Sequence, residues 1–220
     1  MCSHYDPATS PSRLKAYFDV ADLPLGLKLS LWPGYTGPFI RRHEFADVGD
    51  EAVPVREALV GAFGLIPHWA KDVTIGRRTY NARSETVHEK PSFRDAWRQG
   101  RHCIIPAEAI YEPDWRSGKT QSTRIARADG APMGIAGLWA IWHAPTGEVV
   151  SSFTMLTVNA DDHPFMRNYH RPNDEKRMAV ILHEGDYDAR LQAPASGSHG
   201  FLTQFPADNL VAEQPQQTFL

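Results

Sequence analysis

The sequence predicts an α+β fold, with a mostly antiparallel, curled or barrel-like β-sheet and short flanking helices in a single domain over residues 1–220. Three observations predict it. Apolar runs are short and numerous, and several are rich in β-branched or aromatic residues. Seventeen prolines and sixteen glycines place a turn after nearly every run. A hydrophobic fraction of 42% with six tryptophans is that of a chain with a sizeable core, and the few helical patterns are brief.

Taken in order, Ser10 caps a helix that opens with Pro11 and carries Leu14, Tyr17 and Phe18 on one face. Leu27 to Trp32 and Pro38 to Arg41 read as short strands separated by Pro33-Gly34 and Gly37-Pro38 turns. Ala58 to Ile66 reads as a buried strand that ends at Pro67 and runs into an irregular loop carrying Trp69. Ser92 starts a short helix through Phe93, Ala96 and Trp97, closed by Gly100. Cys103 to Ile105 and Ala107 to Tyr111 are two core strands. Ser122 to Ala128, with Asp129-Gly130, gives a hairpin signal leading into Met133 to Trp142. Ser151 to Val158 and Met178 to Leu182 are further strands, Tyr187 to Leu191 a helix, and the tail from Gln204 is polar with scattered apolar residues.

No apolar stretch is long enough to span a bilayer, and no basic flank followed by an apolar run opens the chain. Two cysteines, Cys2 and Cys103, allow at most one bridge and no disulfide framework. The expectation is a soluble, cytoplasmic protein without a membrane partner. Net charge is −3, yet His68 to Arg101 holds eight Lys or Arg against four acids. A local basic face on an acidic chain suits an anionic partner bound at one place.

Common catalytic patterns are missing: no paired C-x-x-C, no H-E-x-x-H, no Gly-rich phosphate loop and no G-x-S-x-G occurs. Ten histidines lack ligand spacing, so neither metal nor cofactor is expected. Cys2 is the position with unusual chemistry. Once Met1 is removed, its α-amine, with a pKa of roughly 7.7–8.0, and its thiol sit on adjacent carbons. Such a pair condenses with an aldehyde and closes a five-membered thiazolidine. Three loop-edge segments add polar candidates. Asn81-Ala82-Arg83-Ser84-Glu85-Thr86 offers an uncharged donor and acceptor in Asn81. In Ile104 to Glu112, strand alternation places Glu108 and Glu112 on one face. His170 lies in the approach to the strand Met178 to Leu182.

Together, Met1-Cys2, Phe63-Gly64-Leu65-Ile66-Pro67-His68-Trp69, Asn81 to Thr86, Ile104 to Glu112, and His170 with Arg177 to Leu182 resemble, in order, the SOS-response-associated peptidase (SRAP) proteins. That family cross-links itself to abasic sites in single-stranded DNA. The resemblance covers residues 1 to about 182. It implies that Cys2 is the nucleophile, that Asn81 orients its amine, and that Glu112 assists sugar ring opening and proton transfer with His170 as the other acid/base group. It further implies that Arg83 holds phosphate, within a basic segment that includes Arg77 and Arg78, and that Trp69 stacks on bases. The peptidase in the family name is removal of residues ahead of Cys2, and weak lyase activity can accompany cross-linking. A monomer, nucleoid-associated when acting on DNA, is expected.

The chain departs from the family at Ser3-His4, where Gly-Arg is usual; His4 stands at the place of a DNA-contacting arginine. Phe63 and Pro113 replace tryptophans, and Arg171 to Lys176 lengthens the segment after His170. An amidohydrolase with an N-terminal cysteine nucleophile requires the same free Cys2. A non-catalytic DNA-binding module requires only the basic segment, and its binding is salt-sensitive and indifferent to the lesion.

Overall fold

The structure is a computed structural model that describes residues 2–213 except 21, 22, 24, 25, 48, 50 and 51. The strands are β1 (Tyr5–Pro7), β2 (Thr36–Arg42), β3 (Arg56–Phe63), β4 (Asn81–Arg83), β5 (His102–Asp114), β6 (Gln121–Arg127), β7 (Met133–His143), β8 (Val149–Asn159), β9 (Arg177–Ala179), β10 (Ile181–Leu182) and β11 (Leu210–Glu213). The helices are α1 (Pro11–Phe18), α2 (Arg94–Arg98) and α3 (Tyr187–Gln192). The fold is α+β, and its sheet closes on itself: β5 pairs with β2, β2 with β3, β3 with β8, β8 with β7, and β7 with β5. Inside this ring lie Tyr5, Phe39, Phe63 and Phe153, all fully buried and in ring-to-ring contact. Burial of aromatic side chains this large supplies much of the driving force for closure.

Two excursions shape the molecule. β3 and β4 both run parallel to β8 along one edge, Phe63 opposite Phe153 and Asn81 opposite Met155. The chain therefore leaves the sheet after Phe63, forms the basic loop, and rejoins the same path at Asn81. Leu65 N–H to the Thr79 carbonyl, 3.2 Å, closes the neck. There the backbones of Gly64 and Gly76 touch. Gly64 has φ +123°, and a Cβ on it would sit 2.0 Å from the Gly76 oxygen. Gly64→Ala is therefore expected to cost roughly 3 kcal/mol or more in chemical denaturation. Gly118→Ala, at φ +79° with open space around it, is expected to cost only about 1 kcal/mol. Equal losses in the two variants would show that the neck is not a steric constraint.

The second excursion corrects the hairpin read at Asp129-Gly130. β6 and β7 do not pair with each other; both pair antiparallel with β5, Ile125 opposite Ile110 and Met133 opposite Ala107. The turn residues are an insertion within one continuing edge, not a reversal. Likewise the two strands expected on either side of Pro106 are one thirteen-residue strand, β5. Pro106 has no N–H to give the ladder, and its carbonyl accepts from Ala8 N–H at 3.0 Å.

Other boundaries shift for local reasons. Leu27 to Trp32 is not a strand; Leu31 alone bridges to Tyr5, leaving Trp32 exposed. The second helix starts at Arg94 with Phe93 ahead of it, and Ser92 makes no cap. Ser10 does sit at the head of α1, without a side-chain cap bond. Val180 separates β9 from β10 because it threads between β7 and β8, donating to Leu156 and accepting from Ala136. β11 adds an edge strand to β6 that the polar tail did not announce. Both cysteines are free. No helix among the described residues is long and apolar enough to cross a membrane, and no cluster of potential metal ligands occurs among them.

Candidate active site at the N-terminus

Cys2 is 1% exposed. The segment behind it is held by Tyr111 N–H to the His4 carbonyl, 2.9 Å, and by β1, whose Tyr5 lies opposite Ile110. The thiol donates to the His4 carbonyl at 3.3 Å. Burial, with the nearby Glu112 charge, pushes it up to about 12.

Asn81 begins β4, where the basic loop rejoins the sheet. Its Nδ2 donates to the Cys2 carbonyl at 2.7 Å. The sequence reading had Asn81 orienting the amine of Cys2; in the fold it grips the carbonyl of the same residue. Its buried Oδ1 accepts no hydrogen bond from the described residues.

Glu112 lies near the end of β5, opposite Thr123, and is 1% exposed. Glu108 does not share its surroundings; Arg13 takes both its oxygens at 2.8 Å near the surface. The β1–β5 register shifts at Glu108, with Asp6 opposite Ala109 and Pro7 opposite Ala107, and the two carboxylates that simple alternation put on one face meet different surroundings. Burial pushes the Glu112 carboxyl up to about 7. At neutral pH it is thus divided between acid and conjugate base, the condition suited to moving protons.

His170 arrives from a distant part of the chain. Its N–H donates to the Pro113 carbonyl at 2.8 Å, docking the segment beside Glu112. Its backbone is left-handed, φ +66°, a strain on the order of 1–3 kcal/mol for a non-glycine residue. Nε2 is 3.0 Å from the Arg177 carbonyl. A carbonyl only accepts, so Nε2 carries the proton and Nδ1 presents its lone pair to Glu112 Oε2 at 3.4 Å. Burial lowers His170 to about 4, so the ring is neutral at physiological pH. Arg177, 2% exposed, is fixed in turn by both oxygens of Glu85 at 2.9 Å and by Glu175 at 2.7 Å. This network sets the carbonyl that sets the imidazole.

Cys2, Asn81, Glu112 and His170 therefore converge, from four separate segments. The candidate DNA contacts lie further out. Arg83 is half-exposed and pairs with Glu175 at 2.8 Å, beside a hollow of about 400 Å³ that His170 also lines. Trp69 is 47% exposed, its indole donating to the Pro91 carbonyl. Trp69, Arg77 and Arg78 line an open hollow of about 560 Å³ on the basic loop. His4 is not poised as a free cation: its ring is sandwiched between Trp32 and Tyr111, bonds Ser30, and is lowered by burial. Sequence reading missed Trp32 and Tyr111 in this stack. The Trp32-Pro33-Gly34 turn was the available signal, since a turn that begins on tryptophan displays the ring.

The chain is similar to proteins of known family. It is 36% identical over 157 residues to the Abasic site processing protein YoaM of Bacillus subtilis, covering 69% of this chain and 65% of that one. It is 40% identical over 121 residues to the Abasic site processing protein YoqW of the same organism, covering 54% and 50%. With the mouse Abasic site processing protein HMCES it shares 27% identity, covering 36% of that protein. The chain thus spans between about a third and two thirds of the curated relatives it matches. A Bordetella bronchiseptica protein of known crystal structure is 47% identical, with a TM-score of 0.86 over 96% of this chain and 98% of that one. A family model matches residues 1–217, and with it the chain belongs to the SOS response associated peptidase (SRAP) family.

Proposed function

We propose that this protein recognises abasic sites in single-stranded DNA and joins itself to them through Cys2. What carries the reading is the convergence on residue 2 of an amide grip, a carboxyl near neutrality and a neutral imidazole. The names of the curated relatives, abasic site processing proteins, agree with it.

Removal of Met1, which lies outside the described residues, converts an amide nitrogen into a nucleophilic amine. We assign that removal to the same site, as an autoproteolytic step. An abasic deoxyribose opens to an aldehyde when a proton leaves its C1′ hydroxyl and another reaches the ring oxygen; Glu112 and His170 relay them. The amine of Cys2 adds to the aldehyde carbon and expels water, giving an imine. The Cys2 sulfur then adds to the imine carbon, and its proton ends on nitrogen. Asn81 holds the Cys2 carbonyl throughout, and its buried Oδ1 is the acceptor for an amine N–H. Arrest at the imine permits elimination of the 3′ phosphate, so weak lyase activity is a by-product. Arg83 exchanges Glu175 for a backbone phosphate, and Arg77, Arg78 and Trp69 guide the strand along the basic loop.

Protein lacking Met1, incubated with a single-stranded oligonucleotide bearing an abasic site, is expected to give a one-to-one adduct in intact-mass spectrometry. Its mass should equal the sum of the two components less a single water. Failure of such protein to shift in mass, or an equal shift with an undamaged oligonucleotide, would sink the proposal.

A further inference from the structure

The stack at His4 continues to the protein surface. The His4 ring lies 4.0 Å from Tyr111 and 4.2 Å from Trp32, with interplanar angles of 14° and 9°. This three-ring ladder starts at the neighbour of Glu112, passes two residues from Cys2, and ends on Trp32, which is 47% exposed. Beside it, Tyr35 is 40% exposed and carries the Lys28 ammonium 3.5 Å above its ring. An open aromatic face next to a positive charge has the composition of a single-strand nucleic-acid contact. The turn that carries it is anchored at the root of the basic loop: Gly34 and Tyr35 are hydrogen-bonded to Phe63, the last residue before that loop departs.

From this geometry we infer that the outer face of Trp32 is a stacking platform for an unpaired nucleobase adjoining the abasic position, with Lys28 facing its phosphate. The inference rests on the proposed function and names a subsite for it. A nucleotide beside an abasic site has lost one stacking neighbour within its own strand. A ring already in register with two others replaces that neighbour at little cost in ordering, because His4 and Ser30 hold the ladder in place. Stacking reads no base edge, so the platform accepts any base.

The test uses the full chain and an oligonucleotide with a tetrahydrofuran abasic analogue, which has no aldehyde and cannot react, flanked by the fluorescent base 2-aminopurine. Wild type is expected to quench the 2-aminopurine on binding. Trp32→Phe keeps a π face and should retain quenching and affinity within about threefold. Trp32→Leu keeps apolar cover on His4 without a π face. It should lose the quenching and weaken binding by about tenfold or more. Quenching and affinity unchanged in Trp32→Leu, or quenching lost equally in Trp32→Phe, overturns the platform. Adduct formation on a true abasic oligonucleotide is scored separately. If Trp32→Leu loses quenching but wild type forms no adduct, the cross-linking reading fails and the platform stands; adduct without dependence of quenching on Trp32 gives the reverse.

Discussion

Cys2→Ser is expected to abolish the heat-stable adduct with an abasic oligonucleotide while leaving non-covalent binding within about twofold. Serine preserves the α-amine, so the imine still forms. Its hydroxyl is a far weaker nucleophile than sulfur toward the imine carbon, and the product remains open to hydrolysis. Borohydride should therefore trap a covalent species from the variant that heating alone destroys. The fold tolerates the change because a buried thiol already donating to the His4 carbonyl is replaced by a smaller hydroxyl able to make the same bond. Persistence of heat-stable adduct on a denaturing gel would place the nucleophile elsewhere. Binding that collapses with the substitution would make Cys2 a structural residue instead.

Glu112→Gln has the second largest expected effect, and it acts in opposite directions on rate and stability. As the proton relay, the carboxyl is worth about 10²–10⁴ in rate, so cross-linking should slow by that order in single-turnover assays. Wild type should show a bell-shaped pH dependence, falling at low pH as the Cys2 amine protonates and at high pH as Glu112, at about 7, ionises. The glutamine variant should lose the alkaline fall.

Stability follows from the same shift. Glu112 is raised from 4.5 to about 7 in the folded chain, so the native state binds the proton more tightly than the unfolded one. Its contribution is fully present below about pH 4.5, declines as pH rises, and is lost above about 7. Glutamine never ionises. The variant should thus gain stability relative to wild type between pH 5 and pH 8, on the order of a few kcal/mol, and gain nothing at lower pH. A midpoint difference that is flat with pH would contradict a buried carboxyl titrating near neutrality.

Much of the site was legible in the sequence because its chemistry is carried by residue types in unusual settings. Cys2 stands beside a removable methionine, Asn81 at the return of a basic loop, Glu112 at the end of an apolar strand and His170 ahead of another. What the sequence did not disclose was how each is held. Alternation paired Glu112 with Glu108, but the β1–β5 register shifts at Glu108, and Arg13 takes both its oxygens near the surface. His4 stood at the place of a DNA-contacting arginine, yet two aromatic rings from residues 28 and 107 positions further along enclose it.

The same division holds for the whole chain. Turn residues and apolar runs by themselves predicted the α+β class and the order of most strands, because those depend on local backbone preference; the four candidate residues came from side-chain chemistry and from the family resemblance. Only the tertiary structure decided that β6 and β7 share one edge of β5, that β3 and β4 share one edge of β8, and that a strained His170 meets Glu112. Those outcomes depend on closing the sheet into a ring, where the choice of partner is set by burial of residues far apart in sequence, and no local pattern encodes it.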